Sequence, residues 1–293
     1  MKLFQKICKM KQSQLKRWLS KRYQDSEYII HNENGFLYLE PKINAVPICL
    51  VAHMDTVHKE QPREFVIEKH PNKTVLSSPQ GIGGDDRCGI YMIVSLLDAG
   101  YRPHVIFVED EEIGCVGARL FAGSTYPSKM EINFLVELDR RGSNDAVYYD
   151  CDVPEFEEFI TQTTGFKTAE GSFTDICEIA PEVGVAAVNL SCGYYKEHNL
   201  EHYVVWEEMQ NTLLQVIKLL TTESIKFKYV EHTGYSDSYV YGSYVVGTFT
   251  WIDAGELKVD YVDGYSENEV IGDFMLSHPN LCLNEVNYDI EYY

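Results

Sequence analysis

At 293 residues and 45% hydrophobic content, the chain can bury a real core, which sets it apart from disordered sequences and fits one large domain or one domain with a small addition. Lys and Arg number 25 against 45 Asp and Glu, a formal charge of −20. Such an acidic surface repels phosphate backbones, so nucleic acid is not the expected partner; its ordinary consequence is solubility.

The first segment, Met1 to Tyr23, carries eight Lys or Arg and no acid. It lacks the continuous apolar run of a signal peptide or membrane span. A solvated first helix packed on the domain is expected, rather than a basic amphipathic helix on a membrane. Eight Cys are spread along the chain without a Cys-x-x-Cys pair, some inside apolar runs such as Ile48-Cys49-Leu50-Val51, where Cys acts as a small hydrophobe. Together these features predict a reducing, cytoplasmic setting.

Four short apolar runs follow: Ile48 to Ala52, Val105 to Val108, Ile132 to Leu138 and Val183 to Leu190. Nearly continuous runs of this length are expected of strands buried on both faces. Helical periodicity lies between and after them, over Asp86 to Ala99 and Glu201 to Leu220. The alternation predicts an α/β fold: a mostly parallel mixed sheet flanked by helices. Beyond Thr222 the character changes. Residues 223–293 hold ten Tyr, thirteen acids and three Lys, and alternation in Tyr239-Val240-Tyr241 and Tyr244-Val245-Val246 suggests strands. A catalytic domain over 1–222 and a β-rich addition over 223–293 are therefore expected.

In open parallel sheets, ligands bind beyond the carboxyl ends of the strands. Here each buried run leads into metal-ligand residue types. The first meets His53-Met54-Asp55, the second Glu109-Asp110-Glu111-Glu112, the third Asp139, and the fourth, after a turn, His198. Gly83-Gly84-Asp85-Asp86-Arg87 stands just before a helix. Zinc takes His nitrogen and carboxylate oxygen. Two His and three carboxylates serve two Zn²⁺ if one carboxylate bridges, and a further carboxylate is then needed to accept a proton from water and pass it to the leaving amine.

As a set, His53-x-Asp55, Gly83-Gly84-Asp85-Asp86-Arg87, Asp110-Glu111-Glu112-Ile113-Gly114-Cys115-Val116-Gly117-Ala118, Leu138-Asp139 and His198 resemble the co-catalytic zinc exopeptidases, families 20, 28 and 42 of metallopeptidase clan MH. The resemblance spans about residues 45 to 205. It implies that His53 and Asp139 hold one zinc, Glu112 and His198 the other, and that Asp85 bridges them and precedes a cis peptide. It further implies that Glu111 is the general base and that Asp55 orients the imidazole of His53. From Asp139 to His198 is 59 positions, too short for the dimerisation domain of family 20; from His53 to Asp85 is 32, too short for the insertion of family 42. The Asp-Asp-Arg motif is thus similar to family 42, and the compact layout to a family 28 aminopeptidase. Co²⁺ or Mn²⁺ can replace zinc in such sites.

Rivals exist within the chain. His202 competes with His198, facing solvent on the next helix if it is not a ligand; Asp86 competes with Asp85, and Glu137 with Asp139. Asp175 suits either a place behind the ligands or a helix N-terminus. Tyr194 and Tyr195 suit pocket lining and ordinary packing equally. The other histidines, His31, His58, His70, His104, His232 and His278, are expected to be structural or exposed.

The expected activity is peptide-bond hydrolysis at a chain terminus by an aminopeptidase. A free α-amine would be held by Asp86, Asp110 or Asp175. The alternatives are a carboxypeptidase or an N-acyl amino acid deacylase, using Arg87, Arg140 or Arg141 for the substrate carboxylate, and a non-catalytic metal-binding interaction protein. The substrate is expected to be a peptide or an N-acyl amino acid, with no membrane partner. Oligomeric state is left open.

Overall fold

The computed structural model describes residues 1–43, 45–231, 245–253, 256–264, 270, 274, 278, 281 and 286–292. The chain divides into two units, Met1–His232 and Thr233–Tyr293. The first begins with helices α1 (Lys2–Cys8) and α2 (Gln12–Tyr23), followed by strands β1 (Tyr28–Glu33), β2 (Phe36–Pro41) and β3 (Val46–His53). A short pair, β4 (Val66–Lys69) and β5 (Thr74–Ser77), precedes α3 (Gly84–Asp98), β6 (Pro103–Val108), α4 (Val116–Ala122) and β7 (Phe134–Arg140). Then come β8 (Asp145–Val147), α5 (Pro154–Thr164), β9 (Lys167–Ala169), α6 (Asp175–Val183), β10 (Ala187–Ser191), β11 (Tyr194–Tyr195), β12 (Tyr203–Val205) and α7 (Trp206–Thr221).

An eight-stranded mixed sheet runs β1-β2-β6-β3-β7-β10-β8-β9. Its centre, β6-β3-β7-β10, is parallel, and β1, β2 and β8 pair antiparallel at the flanks. The four apolar runs supply these central strands because both faces are covered, and the period of two divides the side chains between two cores. Leu50, Ala52, Phe107 and Val136 pack in one core with α3, while Cys49, Val51, Ile106 and Leu135 pack in the other with α4 and α6. The seven described cysteines are free. Among the described residues no helix is long and apolar enough to cross a membrane.

Two elements differ from the reading of the sequence. The helix expected from Glu201 starts at Trp206, because Tyr203–Val205 pairs with Thr74–Ser77 as an edge of a second, four-stranded sheet. The unit boundary falls after residue 232 rather than 222. Phe227 is nearly buried, its ring 5.2 Å from Phe156 and 5.4 Å from Phe159. Its amide donates to the Asn133 carbonyl, and its carbonyl accepts from Ala186.

In the second unit β13 (Val245–Asp253) pairs antiparallel with β14 (Glu256–Gly264) and β15 (Asn287–Tyr292). Phe249 stacks on Phe274 at 4.0 Å beside Val270 and Val286. Val245-Val246 falls within β13. Tyr239-Val240-Tyr241, Tyr244, His232 and Cys282 lie outside the described residues.

The anchoring by Phe227 makes a testable difference between two truncations. A chain ending at residue 222 should be less stable than one ending at residue 232 by about 3–5 kcal/mol, the usual cost of deleting a buried Phe. Urea unfolding of the two would measure it, and coincident midpoints would remove segment 223–232 from the first unit's core.

Candidate metal centre

Three of the expected ligand residues, His53, Glu112 and Asp139, come from the carboxyl ends of the parallel strands. His53 is the last residue of β3, Glu111 and Glu112 follow β6, Asp139 lies near the end of β7, and His198 sits between β11 and β12. Asp85 lies in the first turn of α3 with non-helical φ/ψ, and its peptide bond to Asp86 is cis. Two glycines of the motifs give clearance. A Cβ on Gly89 would lie 2.2 Å from the Leu138 carbonyl oxygen, and one on Gly117 would lie 2.5 Å from that of Glu109. Without side chains there, α3 and α4 approach the strand ends that carry the polar residues.

Asp85 stands between two imidazoles. Its Oδ1 is 2.9 Å from His53 Nε2 and its Oδ2 is 3.4 Å from His198 Nε2. Each imidazole has a second carboxylate: Asp139 Oδ1 is 3.5 Å from His53 Nε2, and Glu112 Oε2 is 3.2 Å from His198 Nε2. All five ligand candidates therefore meet in one place. His53, Asp85 and Glu112 each offer one ligand atom within 4.8 Å of the others, a set that could hold a metal ion. The chemistry of the donors fits one: two nitrogens and several carboxylate oxygens suit zinc. Glu112 Oε1, moreover, is buried without a hydrogen-bond partner.

Asp55 faces His53 Nδ1 at 3.1 Å and accepts the backbone N–H groups of Glu111 and Glu112, one on each oxygen, both at 3.1 Å. It thus ties the histidine to the loop bearing the paired glutamates. Asp139 is held in turn: the Asn189 side-chain carbonyl accepts its amide at 2.9 Å, and the Tyr194 hydroxyl donates to its Oδ1 at 3.2 Å. Asn189 and Gln12, whose side chain contacts Asp110, were not singled out from sequence. An isolated Asn in an apolar strand carries a weak signal of a polar task, whereas nothing local marks Gln12.

The rivals Asp86, Glu137 and His202 are all buried. Asp86 is fully buried and accepts the amides of His53 and Gly89. Glu137 is fully buried with both oxygens unpartnered, as is Asp175 at the start of α6. His202 does not face solvent: it is 1% exposed, with its ring 5.5 Å from that of Tyr194, because the residues after it turn into β12 rather than a helix. Arg87 is buried and donates to the carbonyls of Met54 and Met10. Arg140 donates to the Glu170 carbonyl, Arg141 pairs with Glu197, and Tyr195 donates to Glu208. Of the remaining histidines, His31 bonds Glu40, and His104 shares a hydrogen bond with Tyr38.

The crowding of carboxylates sets the electrostatics. Burial pushes Glu111 up to about 7, helped by Asp85, Glu112 and Asp55 and opposed by His53. Burial and Asp85 likewise raise Glu112 and Asp139. Burial works against the charge on Asp85, but hydrogen bonds from His198 and His53 overcome it and hold its pKa well below the usual range. His53 is raised: burial disfavours its charged form, and Asp139, Asp55 and Asp85 outweigh that effect. Hydrogen bonds to Asp85 and Glu112 raise His198.

The chain has the zinc-exopeptidase fold. Similar solved structures are aminopeptidase PepT from Bacillus cereus, 13% identical over 75% of this chain and 96% of that one with a TM-score of 0.59, and a tripeptidase from Staphylococcus aureus, 12% identical over 74% and 95% with a TM-score of 0.58. An aminopeptidase from the archaeon Desulfurococcus kamchatkensis is 13% identical over 76% and 94%, with a TM-score of 0.55. At these identities the likeness is one of fold. No family model and no curated protein sequence matches the chain.

The raised histidines give a sign to metal binding. Both pKa values lie above that of free imidazole, so without metal the rings carry protons at neutral pH, and a metal must displace them. Zinc affinity should therefore strengthen as pH rises through neutrality, with protons released. Calorimetric titration in two buffers of different ionisation enthalpy would measure the release; identical heats in both would contradict it.

Proposed function

We propose that the chain is a zinc-dependent exopeptidase, specifically an aminopeptidase acting on short peptides. The observation that carries this reading is the division of the Asp85 carboxylate between two imidazoles, each with a second carboxylate of its own. On this reading His53 and Asp139 hold one zinc, Glu112 and His198 the other, and Asp85 both. Zinc held there would supply Lewis acidity, to polarise a scissile carbonyl and lower the pKa of water.

The remaining work belongs to the protein. Glu111 has no ligand role on this reading, which leaves its carboxylate to take a proton from water and return it to the leaving amine. Asp55 fixes the ring of His53 through Nδ1, so that Nε2 faces Asp85 and Asp139. The same carboxylate holds the amides of Glu111 and Glu112, coupling base and ligand in position.

The polarity of attack follows from charge. A carboxypeptidase or deacylase needs a cation for the substrate carboxylate, but Arg87, Arg140 and Arg141 are each engaged by protein groups. Asp86 and Asp175 are too deeply buried to take an ammonium, and Asp110 is engaged by Gln12. The field of the clustered carboxylates, rather than one of those three residues, favours an ammonium end. Two of the structures of similar fold are aminopeptidases, which supports this reading.

Glu111→Gln should retain two equivalents of zinc and the native fold while losing about 10²- to 10⁴-fold in kcat. Turnover at the wild-type rate would take Glu111 out of the mechanism. The substrate end is tested with a panel of free-amine, N-acetylated and C-blocked dipeptides on zinc-loaded protein. Acetylation should cost on the order of a few kcal/mol in kcat/KM. Equal or faster cleavage of the acetylated peptide would replace the aminopeptidase reading with the deacylase or carboxypeptidase one.

A further inference from the structure

The loop after β6 has to present Glu111 and Glu112 in different directions from adjacent positions, and its backbone is bent accordingly. Asp110 has a φ of +59°, a left-handed conformation that costs energy for a residue with a Cβ. Three consecutive amides of this loop are captured by side chains from elsewhere. Asp55 takes those of Glu111 and Glu112. The third, Asp110 N–H, donates to Gln12 Oε1 at 3.1 Å, while Gln12 Nε2 donates back to Asp110 Oδ1 at 2.7 Å. Gln12 therefore reads both the backbone and the side chain of Asp110, in a reciprocal pair.

Gln12 opens α2, part of the basic N-terminal segment to which no chemistry has yet been assigned. Other contacts reinforce it. Lys16, one turn along α2, donates to Glu109 Oε2 and to the Glu33 carbonyl at 2.6 Å. The Met10 carbonyl accepts from Arg87, whose guanidinium also donates to the carbonyl of Met54, next to His53. One short stretch, residues 10 to 16, thus touches the loop after β6, the end of β1 and helix α3.

We propose that Gln12 is a positioning residue: through Asp110 it holds the backbone that aims Glu111, so the N-terminal arm is a working part of the centre. The proposal rests on the reading of Glu111 as the base. Its physical basis is that a carboxylate aimed from a strained turn keeps its direction only if neighbouring structure over-determines the turn. Asp55 fixes the loop from the His53 side and Gln12 from the opposite end.

The test uses the full-length protein with Gln12→Ala and Gln12→Glu. Gln12→Ala should lower kcat about 10- to 100-fold, the range for residues that orient groups in a metal site. KM should stay within about twofold, since no substrate contact is lost. Zinc content should be unchanged. Amide hydrogen exchange over residues 110–112 should accelerate while that of β3 and β7 does not. Gln12→Glu keeps an acceptor for the Asp110 amide but loses the donor and sets a second carboxylate against Asp110 Oδ1, so it should also lower kcat and accelerate exchange at 110–112. Wild-type kcat together with wild-type exchange in Gln12→Ala would overturn the proposal. So would a loss of kcat fully explained by a smaller folded fraction, with exchange at 110–112 unchanged. If the wild type cleaves no peptide, the function assigned above fails, and the exchange measurement still decides whether Gln12 holds the loop.

Discussion

Like charges brought together at one end of a buried sheet are the constraint that the surrounding structure answers. Asp55, Asp85, Glu111, Glu112 and Asp139 meet two imidazoles there, and isolated carboxylates in such surroundings would protonate. The protein compensates some of them and leaves others. Asp55 accepts two amides and faces His53, and its pKa stays low against the effect of burial. Asp85 is held low by two imidazoles. Buried Arg87 adds positive charge near Asp55 and Asp86. Glu111, Glu112 and Asp139 receive less, and their pKa values are raised. The division follows the hydrogen bonds: the carboxylates that accept most of them keep their charge, and the others are raised.

Backbone clearance is the second requirement. Carboxylates can converge only if the elements carrying them come unusually close. The glycines of the two motifs serve this purpose at Gly89 and Gly117, where a methyl group would collide with carbonyl oxygens of neighbouring segments. Their role is packing that makes chemistry geometrically available. For this reason the motifs could be recognised as sets spaced along the chain, although no single residue pair in them carries much information.

Much of the sheet was legible because its central strands are buried on both faces, so that each reads as an apolar run bounded by polar residues. The placing of His53, Glu112 and Asp139 at strand ends followed from where those runs stop, whereas His198 lies farther on, between β11 and β12. The clamps were not legible. Gln12 and Asp110 are 98 positions apart, and no local pattern relates an amide on a basic helix to a loop after β6. Asn189 and Tyr194, which hold Asp139, pose the same problem. The start of α7 was read five residues early because Glu201 to Val205 continues a helical pattern, while pairing with β5 makes Tyr203–Val205 a strand. Tertiary pairing here overrides local periodicity. The boundary at 222 failed to register Phe227 for a related reason. The alternation of Ile225, Phe227 and Tyr229 marks an extended segment but not which core receives it.

The same electrostatics links metal to stability. Without metal, protonated His53 and His198 supply the positive charge among these carboxylates, at distances of 2.9 to 3.5 Å. On the proposed reading, a metal ion would replace those protons with a larger charge. On the same reading, metal binding would add to the stability of the fold, in proportion to the logarithm of free metal over its dissociation constant, because the unfolded chain cannot assemble the donors. The frame groups then fix the geometry whether or not metal is bound: Asp55 ties β3 to the loop after β6, and Gln12 ties that loop to the N-terminal arm.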